Sequence, residues 1–463
     1  MNDINSSGSF SEYINKVREL TANMEFAPMA FVHSYGCQQN VSDGEKILGM
    51  LADMGFGITR DRESADVIIL NTCAVRENAE EKVFGNVGEL KHLKEKNPDL
   101  IIGICGCMPQ QKHIVERIKR SYKYVDIVFG TFAVSEFPKL LFERMISGNY
   151  AEDTEERDSV PTEGMTVMRS CGYKASVPIM YGCNNFCTYC IVPYVRGREH
   201  SREPEDILKE IKGLVNDGCK EIMLLGQNVN SYGKNLAEPV TFSQLLRMIN
   251  DIDGDFRVRF MTPHPKDATT ELIDTIFECD KICRHLHLPL QSGSDRILKA
   301  MNRHYDVEKY MKIVDYARSK DPEFSFTTDI IVGFPNETRE DFDGTIDIIR
   351  NVGYDNIYSF IYSKRKGTKA AEMDDKTSDA DKSAWFREML DVQREIAEKN
   401  YKRFVGREMT VLFDAPSRRD GWLTGKSDEF IIVEAKGDKS LIGTMQKVKI
   451  LSSRYWECEG EII

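Results

Sequence analysis

The 463-residue sequence predicts an α/β protein in three parts. These are an N-terminal open parallel α/β domain, a partial (β/α)6 TIM-like barrel, and a small antiparallel β barrel at the C-terminal end. Three observations predict this. Short apolar strands alternate with amphipathic helices from Met29 to Ile146. The alternation resumes near Ala175 and runs through six strand–helix units. From Arg407 onward it gives way to short alternating strands with turn signals such as Arg419-Asp420-Gly421 and Lys436-Gly437-Asp438. The expected divisions are a leader over 1–27, a first domain over 28–146, a linker over 147–170, the barrel over 171–401 and the small β module over 402–463.

Each element follows from its pattern. Residues 29–33 read as a strand ending at Ser34-Tyr35-Gly36-Cys37, followed by a helix over 42–54. Residues 65–70 form a strand ending at Asn71-Thr72-Cys73, with a helix over 80–96. Residues 100–104 form a third strand, ending at Cys105-Gly106-Cys107. A helix, a strand over 124–129 and a helix over 134–146 complete the domain. Residues 148–161 are acidic and lack apolar periodicity, as surface linkers do. In the barrel, strands are expected over 177–181, 221–225, 256–260, 285–289, 324–332 and 356–362. A long helix over 381–404 closes it. Ligands bind at the carboxyl ends of parallel strands, so those ends are where function is sought.

The composition is that of a protein with large cores: 41% of residues are hydrophobic and 29% charged. No apolar run is long enough to span a membrane and the first 26 residues lack a signal peptide's apolar stretch, so a cytoplasmic protein is expected. The net charge of −12 argues against indiscriminate nucleic-acid binding but not against a local basic patch. Tyr194-Val195-Arg196-Gly197-Arg198-Glu199-His200-Ser201-Arg202 is such a patch.

Twelve cysteines in a chain of this kind point to metal rather than disulfides. Cys183-Asn184-Asn185-Phe186-Cys187-Thr188-Tyr189-Cys190 places three thiols on one loop as C-x-x-x-C-x-x-C. Three thiolates can hold three irons of a 4Fe–4S cube and leave the fourth open. The alternative is structural zinc, which wants four ligands, usually as two pairs, and no second pair follows. Cys37, Cys73 and Cys107 each fall just past a strand, so a sequence span of 71 positions should converge at one sheet edge. A second three-cysteine cluster fits that placement; three unrelated buried thiols are the alternative. Cys105 could replace Cys107 but lies within the strand. Cys171, Cys219, Cys279, Cys283 and Cys458 read as structural, with Cys279 and Cys283 one turn apart on a helix.

These motifs resemble the radical S-adenosylmethionine methylthiotransferase family over nearly the whole chain from Met29. The segments that carry the resemblance are Tyr35 to Asn40, Asn71 to Arg76, Gly106-Cys107-Met108 and Cys183 to Pro193. Leu225 to Val229, Leu288 to Ser294, Thr328 to Pro335 and Tyr362-Ser363 continue the series. The resemblance implies a methylthiotransferase domain, a radical core and an RNA-binding TRAM barrel. It implies that Cys183, Cys187 and Cys190 hold the 4Fe–4S cluster that cleaves S-adenosylmethionine. Cys37, Cys73 and Cys107 would hold an auxiliary 4Fe–4S cluster that supplies or relays sulfur. A second S-adenosylmethionine would donate the methyl group. Gly226, Gln227, Gln291, Ser292 and Gly333 are expected at the cofactor, and Arg196, Arg198 and Arg202 at the phosphates of a tRNA anticodon stem-loop.

Within the family, Leu225 to Gly233 resembles the branch acting at C2 of isopentenylated adenosine beside the anticodon. Branches acting on threonylcarbamoyl adenosine or a ribosomal-protein aspartate are the alternatives. A flavodoxin-like electron donor, a sulfur or iron–sulfur carrier and a monomeric state are further expectations. An iron–sulfur RNA-binding sensor without catalysis is the reading from a different class.

Overall fold

The computed structural model describes residues 4–74, 77–157 and 163–463. Val75 and Arg76 of the second motif, the first three residues of the expected leader and residues 158–162 of the expected linker lie outside them. The chain divides into two compact units: residues 1–170 with 181–184 and 190–200, and residues 171–180, 185–189 and 201–463.

The first unit is built on a parallel sheet of order β2-β1-β3-β4-β5-β6. In chain order its elements are α1 (Ile4–Ala22), β1 (Met29–Ser34), α2 (Gln38–Asp53), β2 (Gly57–Ile58), β3 (Val67–Thr72), α3 (Glu77–Lys96), β4 (Ile101–Gly106), α4 (Lys112–Ser121), β5 (Ile127–Phe129), α5 (Phe137–Ser147) and β6 (Ala151–Asp153). Side chains alternate across the strands, so the sheet has a core on each face. Val67, Ile69, Ile101, Cys105 and Phe129 join one; Ile68, Leu70, Ile102, Ile104 and Val128 join the other.

The leader, expected as frayed or helical, is helical, and the linker holds more structure than its polar sequence suggests. The stretch expected as a leader forms α1, whose Ile14 and Val17 are buried in the first core, with Tyr13 against Phe142 of α5. The segment expected as a surface linker supplies β6, which pairs in parallel with β5 from Ile127↔Ala151 to Phe129↔Asp153. Farther along it, Thr166 lies against α2: a Cβ on Gly49 would fall 2.0 Å from its carbonyl oxygen. Backbone pairing at a sheet edge needs no apolar pattern, which is why composition did not reveal it.

The strands of the second unit are β7 (Lys174–Pro178), β8 (Met180–Tyr181, of which Met180 belongs to this unit), then, beyond α6 (Val192–Arg196) and β9 (His200–Ser201), β10 (Glu221–Leu225), β11 (Arg257–Phe260), β12 (His285–His287), β13 (Ser325–Val332) and β14 (Asn356–Ile361). They form two parallel three-stranded sheets, β7-β10-β11 and β12-β13-β14. A parallel bridge between Val258 and Ile282 continues the first toward the start of the second. The helices are α7 (Pro204–Asn216), α8 (Phe242–Asn250), α9 (Thr270–Glu278), α10 (Asp295–Ala300), α11 (Val307–Lys320), α12 (Arg339–Val352) and α13 (Asp379–Tyr401). Cys279 and Cys283 do not share a helix: α9 ends at Glu278, and Cys279 is its extended C-cap.

The same unit ends in a closed five-stranded barrel, ordered β15 (Glu408–Pro416), β16 (Trp422–Ser427), β17 (Ile432–Lys436), β19 (Glu457–Ile462) and β18 (Met445–Arg454). Four pairings are antiparallel and β17–β19 is parallel. This barrel closes the amino ends of the parallel strands. Arg257 and Arg259 of β11 donate to Asp428, Lys426 and Ser427, and Phe430 stacks on His285 at 4.8 Å. Glu221, first in β10, accepts from both arginines, which with Lys174 hold its carboxyl down near 2 against the opposing effect of burial. The carboxyl ends are thereby left for chemistry.

Candidate active site

In the first unit, three cysteines meet at the carboxyl edge of the sheet. Cys37 follows β1 and is the N-cap of α2, which begins at Gln38 rather than at the expected Ser42. Cys73 follows β3 and Cys107 follows β4. Gly36, at φ +100°, lets the first turn reach the second: a Cβ there would fall 2.3 Å from Cys73 Cβ and 2.7 Å from its Sγ. Asn40, on the first turn of α2, stands between the other two. Its Oδ1 is 3.9 Å from Cys37 Sγ and 3.7 Å from Cys107 Sγ. Its Nδ2 donates to the carbonyls of Tyr35 and Thr72, fixing the amide's orientation.

The charge at this edge is supplied by Arg196, at the end of α6. Its Nη2 donates to Asn40 Oδ1 at 2.7 Å and to Asp43 Oδ2 at 2.8 Å. Burial works against its charge, but Cys107, Asp43 and Cys37 outweigh that and hold it firmly protonated. Cys37 is drawn down to about 6, first by its hydrogen bond with Cys73 and then, against burial, by Arg196. Burial pushes Cys107 up. Cys105 is also pushed up by burial, and it faces the sheet core with Phe129, whereas Cys107 packs with Ala74, Ile191 and Val195.

The three thiols reach this hollow from separate strand ends, which suits a cube presenting several irons. Among the described residues no group of three or more His, Cys, Asp or Glu side chains is gathered tightly enough to hold a single metal ion.

The cysteine loop is contiguous. Cys183 and Cys190 are grouped with the first unit and Cys187 with the second. Cys183 is buried, with its N–H on the Gly197 carbonyl at 3.1 Å. In the second unit Phe186 takes φ +47°, and Asn302, itself at φ +58°, donates from Nδ2 to the carbonyls of Asn185 and Phe186. Thr188 N donates to the Met301 carbonyl and Lys266 Nζ to Asn185 Oδ1. Arg303 is buried and donates from Nη1 to Cys187 Sγ at 3.5 Å and from Nη2 to the Pro289 carbonyl. A buried cation is thus committed to a thiol sulfur.

The expected cofactor residues lie where parallel strands end. Gly226 follows β10, with Met180 and Val229 filling the space where a side chain would go. Gln227 is half-buried beside it. Gln291 is buried at φ +69° and bridges to Ile330 of β13. Ser292 is fully buried and its hydroxyl accepts from Ser294 N, so it serves the turn. Gly333, after β13 at φ +73°, has its N–H on the buried Glu337 Oε2 at 2.5 Å; a Cβ there would strike the Lys382 stem at 2.4 Å.

Of the expected phosphate contacts, Arg198 is exposed. The other two do not fit that role here. Arg196 is buried on Asn40 and Asp43, and Arg202 is buried with Nη1 on the Pro178 carbonyl and on Glu210. Both guanidiniums are already paired, and moving Arg196 would leave the buried Asp43 carboxylate uncompensated. The sequence did not single out Asp43, Asn302, Arg303 or Glu337, because a lone polar residue on a helix or turn carries no spacing signal. Asn40, in the first cysteine motif, had one.

A parallel strand–helix barrel whose first strand leads into a C-x-x-x-C-x-x-C loop defines a radical S-adenosylmethionine enzyme, and residues 177–349 match the Radical SAM superfamily. Residues 29–130 match a family described as uncharacterized protein family UPF0004. The chain is 51% identical over 433 residues to a tRNA-2-methylthio-N(6)-dimethylallyladenosine synthase of Thermoanaerobacter pseudethanolicus, covering 93% of this chain and 92% of that one. A protein of the same name from Caldicellulosiruptor saccharolyticus is 46% identical over 461 residues, covering 98% of each. Among solved structures, a radical S-adenosylmethionine methyltransferase of Kitasatospora setae shares the fold, with a TM-score of 0.54 at 14% identity over 75% of this chain and 77% of that one. The chain belongs to the radical S-adenosylmethionine methylthiotransferase family. It is a transferase whose cofactors are 4Fe–4S iron–sulfur clusters and S-adenosylmethionine. No helix among the described residues is long and apolar enough to cross a membrane.

Proposed function

We propose that this enzyme adds a methylthio group to C2 of N(6)-isopentenyladenosine at tRNA position 37, consuming two molecules of S-adenosylmethionine and using two 4Fe–4S clusters. The observation that carries the two-cluster part is that Cys37 and Cys107 flank Asn40 with Cys73 beside Cys37, three thiols on strand ends of the first sheet and none of them from the loop of Cys183, Cys187 and Cys190. The nucleoside follows from the relatives' names. The C2–H bond of adenine is not acidic, so general-base chemistry cannot open it. Bound clusters and S-adenosylmethionine would supply the radical, sulfur and methyl chemistry.

The protein's own part is to hold and shield. Cys183, Cys187 and Cys190 offer three thiolates and leave a fourth iron for the cofactor. Asn302 and Lys266 fix the loop that carries the middle thiolate, and Arg303 steadies its charge. The backbone at Gly226, Gln291 and Gly333 lines the strand ends where S-adenosylmethionine would lie. Arg198 is the candidate phosphate contact, and the module over 402–463 the RNA-binding one. The electron donor is of flavodoxin type, sulfur comes from a sulfur or iron–sulfur carrier, and the enzyme is a cytoplasmic monomer.

The test is anaerobic turnover with S-adenosylmethionine, a strong reductant and sulfide. Isopentenylated and threonylcarbamoylated tRNA serve in parallel, with nucleosides read by mass spectrometry. A methylthio product on the first alone is expected. Product on the second alone overturns the substrate, and S-adenosylmethionine cleavage with product on neither sends the search to ribosomal protein.

A further inference from the structure

The basic stretch after the cysteine loop was expected to touch phosphate, yet Arg196 is turned inward. Within the first unit its guanidinium is buried and shares Asn40 Oδ1 with the sulfurs of Cys37 and Cys107. It also pairs with Asp43, whose other oxygen accepts from Gln39 Nε2. Lys46, one turn along α2, is buried but directed to the Tyr181 hydroxyl. Burying an arginine–carboxylate pair gains little by itself, and a further anion at the thiols would be held by the same cation. A cube held by three thiolates is anionic, and each electron it accepts adds a negative charge.

We propose that Arg196 is the built-in counter-charge of the Cys37–Cys73–Cys107 site, a positioning residue that sets the reduction potential of a cluster there, with Asp43 opposing it. The inference rests on the two-cluster reading above. Two features carry it. The Arg196 Nη2, at 2.7 Å, and the Cys37 and Cys107 sulfurs, at 3.9 and 3.7 Å, surround one atom, Asn40 Oδ1, so the charge sits near two of the ligands. Asp43 accepts from the same Nη2 as Asn40, so the buried guanidinium is anchored by a carboxylate at this position. The two residues pull in opposite directions: a cation nearby favours the reduced, more negative cluster, and a carboxylate disfavours it.

The experiment uses the full chain with Cys183, Cys187 and Cys190 all changed to Ala, so that only the first unit's thiols hold a cluster. After anaerobic reconstitution, iron and sulfide are counted and the midpoint potential is read by EPR-monitored titration. Arg196→Met should shift the potential negative and speed iron loss to a chelator. Arg196→Lys should keep the cluster, with a potential near the parent's and an intermediate loss rate. Asp43→Asn should shift the potential positive. A loaded Arg196→Met protein with unchanged potential, or shifts of the same sign in Arg196→Met and Asp43→Asn, would overturn the proposal. Should Arg196→Met hold no iron, Lys and Asn decide: an empty Lys variant with an unshifted Asn variant overturns it as well. If the parent takes up no cluster, the two-cluster reading falls and this inference with it. If the parent loads normally, only the role of Arg196 is at stake.

Discussion

The two three-cysteine regions are built by opposite means. The loop of Cys183, Cys187 and Cys190 is local: spacing alone brings its thiols near each other, and the fold has only to hold the loop. Asn302, Lys266 and Arg303 do so, with an arginine donating directly to Cys187. The trio of Cys37, Cys73 and Cys107 is non-local. Three parallel strands deliver it, and its arginine faces two of the sulfurs and Asn40 together rather than a single thiol. A local site can therefore form early and on little support, whereas the other depends on the register of an entire sheet.

The comparison can be broken most decisively by iron. The intact chain should carry about eight irons if both sites take a cube. Cys37→Ala and Cys187→Ala should each remove about half, with distinct EPR signals lost; if either variant keeps its full iron, the two sites are not separate. The next effect concerns pH. Burial lifts the Glu337 carboxyl from its ordinary 4.5 to about 7. The folded state then keeps a proton that the unfolded chain releases. Stability from this group is fully present below about pH 4.5 and is lost as pH rises through 7. Glu337→Gln should flatten that decline, worth on the order of 3 kcal/mol, in denaturant titrations across the window.

Asn302→Ala strips two part-buried carbonyls of their donor and should cost about 1 kcal/mol in unfolding of the cluster-free protein. It should lower iron at the loop while leaving the trio's signal alone. The smallest effect separates neighbours in sequence. Cys105→Ala should cost about 1 kcal/mol from a lost core sulfur and leave the iron count unchanged. Lost iron there would mean that Cys105, not Cys107, is the ligand.

Much of this was legible in the sequence. Alternating strands and helices gave both parallel systems, and cysteines placed after strands gave the trio. Hydrogen bonding gave what sequence did not. β6 is held by backbone pairing in an acidic stretch, and α2 starts four residues early, at Gln38, with no capping side chain to mark it. The basic stretch misled for a physical reason: composition reports charge but not which way a side chain turns, and two of its three arginines turn inward.

The small barrel has one further consequence. Its fourth stave is β19, which lies between β17 and β18 although β18 precedes it in the chain. β17 and β18 therefore each keep a bare hydrogen-bonding edge until β19 inserts between them. Closure of this module waits on a single strand, and before it the chain carries two sticky edges that β19 quenches together.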